Sequence, residues 1–298
     1  MRTAQYGIFT LGNPAHAFLE FDLLEGKTRA ELVAAVKGFS QPRTTGGGVN
    51  LVVGFRPELW REVAPEDSPA ECVGFNQDLV GLDSFTMPAT QHDLVLWFTS
   101  SAYDYIFDFT RDAVHGLSHV ARIADETASW PYHGNHDLTG FIDGTENPKL
   151  TEAAEFVLVP DGKPGTAGSV LLLQKWPHDA AKWEALPVRK QELVIGRTKA
   201  DSIELDPKPA DAHAAKTDQD KFGKILRRNM PYGEYSNHGT MFVGFAADQA
   251  RLSKMLESMA GLIGGQRDAL TFYTKPVTGA YYFVPAIESL ASDDEDKS

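Results

Sequence analysis

Apolar runs of strand length alternate with amphipathic helical patterns along this chain. Residues 94–98 form an uninterrupted apolar run, and residues 103–117 follow with apolar side chains at helical spacing. The same succession returns later, where an apolar run at 240–245 precedes a helical pattern over 248–259. We therefore predict a strand followed by a helix at both places.

A second pair of segments repeats this order. An apolar run at 17–21 precedes a helix carrying Leu32, Val33 and Val36, and the run at 169–176 precedes a helical stretch at 180–185. Two such repeats favour an α+β fold built from a duplicated module, in which helices pack on antiparallel sheets. Gly, Pro and Asn cluster between 140 and 165, so the modules are predicted at 1–145 and 146–298.

Composition narrows the class of protein. A net charge of −13 argues against nucleic acid as a partner, since a phosphate backbone is bound by basic surfaces. No apolar run has the length of a membrane span, and no basic segment followed by an apolar one begins the sequence. Cys72 is the only cysteine, so an internal disulfide and a Cys-rich metal site are ruled out. We expect a cytoplasmic protein with a short, acidic, disordered tail at 291–298.

One carboxylate stands out because of its neighbours. The segment GFIDGTENP, residues 140–148, puts Asp143 between an apolar pair and Gly144 and closes with a polar turn. Gly144 permits a positive φ or a close backbone approach, which would hold Asp143 at a bend. Local chemistry leaves three roles open for this side chain, namely proton carrier, metal ligand or cap of an ordinary turn.

Nine histidines are candidates for a metal ligand. Those expected to be solvated, because they lie in or beside polar segments, are His16, His92, His115, His119, His133, His136 and His178. Two remain: His213 has small neighbours that would let a flat ligand approach, and His238 directly precedes an apolar strand. The residues alone do not choose between them.

Two adjacent arginines, Arg227 and Arg228, follow an apolar pair. Neighbouring side chains point in different directions on a regular element, so at most one of them should enter a pocket. The simpler interpretation makes Arg227 a structural ion pair and Phe242, further along, a core residue.

Together these segments resemble the dye-decolourising peroxidases, a family of haem peroxidases, and its cytosolic bacterial branch. The resemblance rests on GFIDGTENP, on IGRTK at 195–199, on DAH at 211–213 and on KPVTG at 275–279. It implies two ferredoxin-like modules side by side, a dimeric α+β barrel arrangement, with haem b held chiefly by the C-terminal module.

The family pattern also implies roles for individual residues. His213 would be the proximal ligand of the haem iron and Asp268 its hydrogen-bond partner, while Asp143 and Arg227 would act on peroxide. Arg228 would then be a surface ion pair. The further residues expected around the cofactor are Gly144, Thr145, Asn229 and Phe242.

The implied activity is reduction of hydrogen peroxide with one-electron oxidation of bulky aromatic donors such as dyes and phenolics. A homo-oligomer is expected, and docking inside an encapsulin shell is conceivable although the tail carries no clear apolar tag. One alternative is a haem-handling protein whose main role is porphyrinogen oxidation or iron release. Another is a non-haem binding module on the same fold, which would need neither Asp143 nor Arg227.

Overall fold

A computed structural model describes residues 2–37 and 48–291 of the chain. Within these residues the strands are β1 (Ala15–Leu23), β2 (Asn50–Phe55), β3 (Leu79–Val80), β4 (Thr86–Met87), β5 (Leu94–Ser100), β6 (Ala121–Ser129), β7 (Ser169–Pro177), β8 (Leu226–Arg227), β9 (Met230–Gly233), β10 (His238–Ala246) and β11 (Ala280–Val284). The α-helices are α1 (Arg29–Lys37), α2 (Pro57–Val63), α3 (Tyr103–Leu117), α4 (Leu150–Val157), α5 (Ala180–Glu184), α6 (Val188–Ile195), α7 (His213–Lys216), α8 (Gln219–Phe222), α9 (Gln249–Met259) and α10 (Ile287–Leu290).

The predicted strand–helix successions are confirmed. Helix α3 covers the predicted range and buries Ile106, Ala113 and Leu117 along one face. Helix α9 begins after Asp248, whose carboxylate accepts a hydrogen bond from the Arg251 backbone N–H and so satisfies one free donor of the first turn. Strands β5 and β10 contain the two apolar runs that precede these helices.

The main sheet consists of antiparallel strands that close into a ring. One group has the order β2-β5-β1-β6 and the other the order β11-β7-β10-β9, with the short β8 also on β10. The groups meet at two seams, where Phe283 pairs with Phe55 and Ser129 pairs with Tyr232. The structure therefore confirms an α+β fold with antiparallel pairing.

Alternating side chains separate an inner from an outer core, as the period of two in a strand requires. Trp97, Phe245 and Tyr282 belong to a cluster contributed mostly by strands, which fills the ring. Leu172 and Trp176 belong to the larger outer cluster, together with side chains of α1, α2, α3 and α9. The outer face of β7 and β10 therefore lies beneath α9, and the pocket described below lies there.

A buried acid bridges the two groups inside the ring. The Tyr282 hydroxyl on β11 donates a hydrogen bond to Glu20 on β1, and both side chains are almost fully buried. Burial raises the pKa of Glu20 to about 7 and holds that of Tyr282 well above its usual value.

The expectations that His16 and Arg228 lie at the surface are wrong. His16 is only 3% exposed, and burial lowers its pKa to about 4. Arg228 is 8% exposed and forms no ion pair with any residue that the structure describes; its guanidinium donates to the carbonyl of Ile8 at 2.8 Å and lies over the ring of Trp97. Arg228 faces the inside of the ring, where backbone carbonyls of the N-terminal segment solvate its charge.

The acidic tail predicted to be disordered falls, from residue 292 onward, outside the described residues. Within residues 2–37 and 48–291, no helix combines the length and the apolar character required to cross a membrane.

Candidate active site

A large pocket lies between the outer face of the C-terminal strand group and α9. Its walls enclose about 1220 Å³ of space, part of it open to solvent. Most of the lining is apolar and comprises Leu172, Trp176, Ile195, Ile225, Phe242, Leu252, Met255, Leu256, Met259 and Leu270. The pocket is also lined by polar side chains predicted for the site, namely His213, Asp143, Arg227, Asn229 and Thr145.

His213 opens α7, and its ring is held by a buried carboxylate. Its Nδ1 lies 2.7 Å from Oδ2 of Asp268, whose side chain has no exposed surface. The other oxygen of Asp268 accepts the backbone N–H of Leu270 at 2.8 Å. An ionised carboxylate only accepts, so Nδ1 of His213 carries the hydrogen and Nε2 keeps a lone pair for a ligand.

His238, the competing candidate, does not line this pocket. Its Nδ1 lies 3.2 Å from the carbonyl of Glu234, and its side chain borders a smaller side pocket. Of the two histidines left open by the sequence, only His213 thus combines a place in the large pocket with a carboxylate partner.

Arg227 and Asp143 face each other in the pocket. Nη2 of Arg227 lies 3.8 Å from Oδ1 of Asp143, and the side chains are 13% and 21% exposed. Nε of Arg227 is buried and has no hydrogen-bond partner among the described residues. Because the ion pair is long and one guanidinium donor is unpaired, Arg227 retains hydrogen-bonding capacity for a bound ligand.

Asn147, in the same segment as Asp143, fixes the backbone of Arg227. Its Oδ1 accepts the Arg227 N–H at 2.9 Å, and its Nδ2 donates to the Arg227 carbonyl at 2.8 Å. Gly144 has φ +74°, and a Cβ there would come within 2.8 Å of the Asn147 amide. The turn therefore requires glycine. Apart from its place in the motif, nothing in the sequence pointed to Asn147.

The segment 140–148 also packs on the segment 195–199. Arg197 donates to Glu146 at 2.7 Å, and the ammonium of Lys199 lies over the ring of Phe141. Gly140 has φ +84°, and a Cβ there would lie 2.7 Å from the Lys199 side chain. Two motifs separated in sequence thus form one wall of the pocket.

The remaining predicted residues take different places. Thr145 lines the pocket and is exposed, whereas Gly144 does not line it and acts through the turn. Asn229 lines the pocket while its Oδ1 accepts the backbone N–H of Val243 at 3.0 Å. Phe242 on β10 lies in the lining beside its pairing partner Gln174 on β7.

Gln174 is a pocket residue that sequence reasoning missed. It is completely buried, and neither atom of its amide has a hydrogen-bond partner within the described residues. Leaving a buried amide unpaired costs about 1–3 kcal/mol, so a bound ligand or water that satisfies it is favoured. The available signal was a lone glutamine that ends an apolar strand run.

His178, expected to be solvated, is instead part of the pocket wall. Its Nε2 lies 3.0 Å from the hydroxyl of Thr240, and that hydroxyl also contacts the carboxylate of Asp137. The expectation fails because His178 directly follows the buried strand β7 and its backbone N–H still bonds to the carbonyl of His238 on β10.

Comparison with known proteins identifies the class. The family model for the C-terminal region of Dyp-type peroxidases matches residues 134–289. A dye-decolorizing peroxidase of Rhodococcus erythropolis is 35% identical over 291 residues, covering 93% of this chain and 85% of that protein. The chain therefore belongs to the Dyp-type peroxidase family.

Solved structures agree with this assignment. The dye-decolorizing protein from V. cholerae matches with a TM-score of 0.87 and 32% identity, over 96% of this chain and 98% of that chain. A variant of DypB from Rhodococcus jostii RHA1 in complex with heme matches with a TM-score of 0.87 and 30% identity, over 98% and 99% of the two chains.

Proposed function

We propose that this member of the Dyp-type peroxidase family is a haem b peroxidase that reduces hydrogen peroxide. Its reductants are bulky aromatic donors, such as dyes and phenolics, which give up one electron at a time. The observation that carries this proposal is one pocket containing a carboxylate-bound imidazole, His213, together with the facing pair Asp143 and Arg227.

The residues of the pocket fit a haem group. Most of the wall area is apolar, as a porphyrin requires, and Nε2 of His213 is available to bind the iron. The unpaired Nε of Arg227 and the unpaired amide of Gln174 are buried polar groups that a loaded pocket would satisfy. Asn229, Thr145 and Phe242 would lie around the cofactor. When bound, haem supplies the iron that accepts peroxide and stores the oxidising equivalents.

Asp143 and Arg227 would handle the charges and protons of O–O cleavage. The Asp143 carboxylate would take a proton from one peroxide oxygen and return it to the other, which would leave as water. The Arg227 guanidinium stabilises the negative charge that develops on that oxygen. Asp268 holds the His213 ring and, by accepting from Nδ1, increases the electron donation of Nε2.

We further infer that the chain is a duplicated ferredoxin-like protein with modules at 1–145 and 146–298, the second holding most of the haem site. In support, the strands of each group have the same spatial order when numbered along the chain, 2-3-1-4, reading β8 and β9 as one interrupted strand. We also propose that the protein forms a homo-oligomer and works in the cytoplasm. There the thiol of Cys72, whose pKa burial raises to about 12, would stay reduced.

The experiment is a comparison of three activities of the haem-loaded protein. We expect peroxide-dependent oxidation of an anthraquinone dye and a phenol well above that of free haem. Iron release or peroxide-independent porphyrinogen oxidation as the dominant activity would instead favour a haem-handling role. A purified protein that binds no haem, judged by its Soret absorbance, would leave only a non-haem binding module.

A further inference from the structure

Three side chains in the pocket wall form a hydrogen-bonded chain with one direction. An ionised Asp137 can only accept, so the Thr240 hydroxyl donates to it. Thr240 must then accept from His178 Nε2, 3.0 Å away. These donor and acceptor roles require the His178 tautomer that has its hydrogen on Nε2 and a lone pair on Nδ1.

The chain of groups connects two cavities. Asp137, Thr240 and His178 all line the large pocket, and His178 also lines the side pocket, which His238 and Glu184 border on the protein surface. Thr240 lies two residues before Phe242 on the same face of β10. The three groups therefore form a polar path through a wall that is otherwise largely apolar.

The charges of the end groups suit proton transfer. Burial alone would raise the pKa of Asp137, but His178 and the hydrogen bonds from Thr240 and Thr139 lower it overall. Burial lowers the pKa of His178, and His238 lowers it further against the opposing effect of Asp137. At neutral pH, Asp137 is thus an anion beside a neutral imidazole. The other titratable groups that line the side pocket are His238, Glu184 and Tyr273.

We propose that His178, Thr240 and Asp137 are a proton relay from the side pocket to the peroxide pocket. A proton from solvent binds Nδ1 of His178, the Nε2 proton passes to the Thr240 oxygen, and the Thr240 hydroxyl proton passes to Asp137. Asp137 then releases a proton into the pocket, and the ring regains its first tautomer by exchange with water.

The relay matters for one class of reductant. This inference rests on the peroxidase function, in which peroxide, two electrons and two protons give two waters. A phenol brings a proton with each electron and becomes a neutral radical. An outer-sphere ferrocene donor brings only the electron, so both protons must come from solvent.

The test compares these donors in the haem-loaded full-length enzyme. Thr240→Val keeps the side-chain shape without the hydroxyl, and Thr240→Ser keeps the hydroxyl. A cationic ferrocene suits a protein of net charge −13. With Thr240→Val we expect kcat for the ferrocene to fall at least about tenfold more than kcat for the phenol, and Thr240→Ser to restore the ratio. An equal fall with both donors would overturn the relay and make the network a structural anchor.

A second readout is independent of activity. Nuclear magnetic resonance of nitrogen-labelled histidine in the haem-free full-length chain reports the His178 tautomer. We expect the hydrogen on Nε2 in the wild type and in Thr240→Ser, and a loss of that preference in Thr240→Val. A wild-type His178 protonated on Nδ1 contradicts the relay. A wild type that turns over neither donor contradicts the peroxidase function itself.

Discussion

At the residue scale, the reactivity of the pocket depends on which side chain faces each charged group. Nη2 of Arg227 lies 3.8 Å from Oδ1 of Asp143, which is too long for a closed bidentate pair. A peroxide molecule offers both a proton for the carboxylate and an oxygen for the guanidinium. The two side chains are therefore arranged to act on one ligand rather than only on each other.

Replacement of Asp143 by Asn should slow the reaction with peroxide. Asn keeps the size of the side chain but cannot accept the proton, so we expect the stopped-flow rate to fall about 100-fold or more. Asp161→Asn, in an exposed turn that does not line the pocket, is the matched control and should keep the wild-type rate. Equal rates in both variants would remove Asp143 from the proposed mechanism.

Replacement of Asp268 by Asn should change the metal site without unfolding the turn. An Asn can still accept the Leu270 N–H through its oxygen, but it turns an N–H₂ group toward Nδ1 of His213. We expect a more positive midpoint potential of the haem iron and a roughly 10- to 100-fold loss of haem affinity or activity. Spectroelectrochemistry and haem transfer to an acceptor protein measure these effects; an unshifted potential would argue that His213 is not the ligand.

Only part of the site could be predicted from the sequence, because some of its residues are brought together from segments that are distant in the chain. The resemblance named Asp143, Arg227, His213 and Asp268, because each lies in or near a recognisable motif. Gln174 and His178 were missed, since their place in the wall follows from strand pairing across the sheet. Arg228 was misassigned for the same reason: its direction was predictable from Arg227, but the carbonyls that receive it come from the N-terminal segment.

At the scale of elements, the local pattern determined helices and strands well. Helix α3 follows from apolar spacing alone, and α9 from spacing together with the cap at Asp248. The interruption between β8 and β9 could not be predicted, because Asn229 breaks the pairing by binding the Val243 N–H with its side chain. Arg227 and Arg228 stand at the start of this break, the first directed toward the pocket and the second toward the ring interior.

The turn at 140–148 should act on Arg227 through Asn147. In Asn147→Ala, the Arg227 N–H and carbonyl lose their partners, so we expect a loss of about 1–3 kcal/mol in unfolding free energy. A shifted Arg227 should also slow the peroxide reaction. The control for both chemical denaturation and stopped-flow measurements is Asn135→Ala. Asn135 is an exposed residue of the same loop that accepts the Asp143 N–H through its backbone carbonyl, which the substitution keeps. An Asn147→Ala variant with wild-type unfolding free energy and a wild-type peroxide rate would show that the two Asn147 hydrogen bonds to Arg227 are dispensable.

At the scale of the whole molecule, the inside of the strand ring is filled by a packed core, and the proposed active site lies outside the ring. The inner cluster is apolar apart from groups such as Glu20, Tyr282 and Arg228, while the peroxide pocket lies on the outer face of one strand group. Changes inside the ring should therefore affect stability much more than catalysis.

Glu20 should make the stability of the ring depend on pH. Its pKa is about 7 in the folded protein against 4.5 for the free side chain, so folding favours the protonated form. This contribution is complete below the unfolded value and is lost as pH rises from about 4.5 to about 7. Glu20→Gln, which stays neutral, should exceed the wild type in stability by up to about 3 kcal/mol near pH 8 and match it near pH 4. Urea unfolding at several pH values measures this difference; a constant difference would contradict it.

The two seams of the ring carry a consequence for how the chain assembles. Each four-stranded group taken alone would expose two strand edges, β2 and β6 in one, β11 and β9 in the other. Exposed edges recruit other strands, including those of neighbouring molecules. Covalent linkage keeps the correct partner for each edge at high local concentration. The N-terminal group therefore pairs with the C-terminal group of its own chain in preference to strands of other molecules. Interrupting that linkage between β6 and β7 should turn intramolecular closure into competition with aggregation.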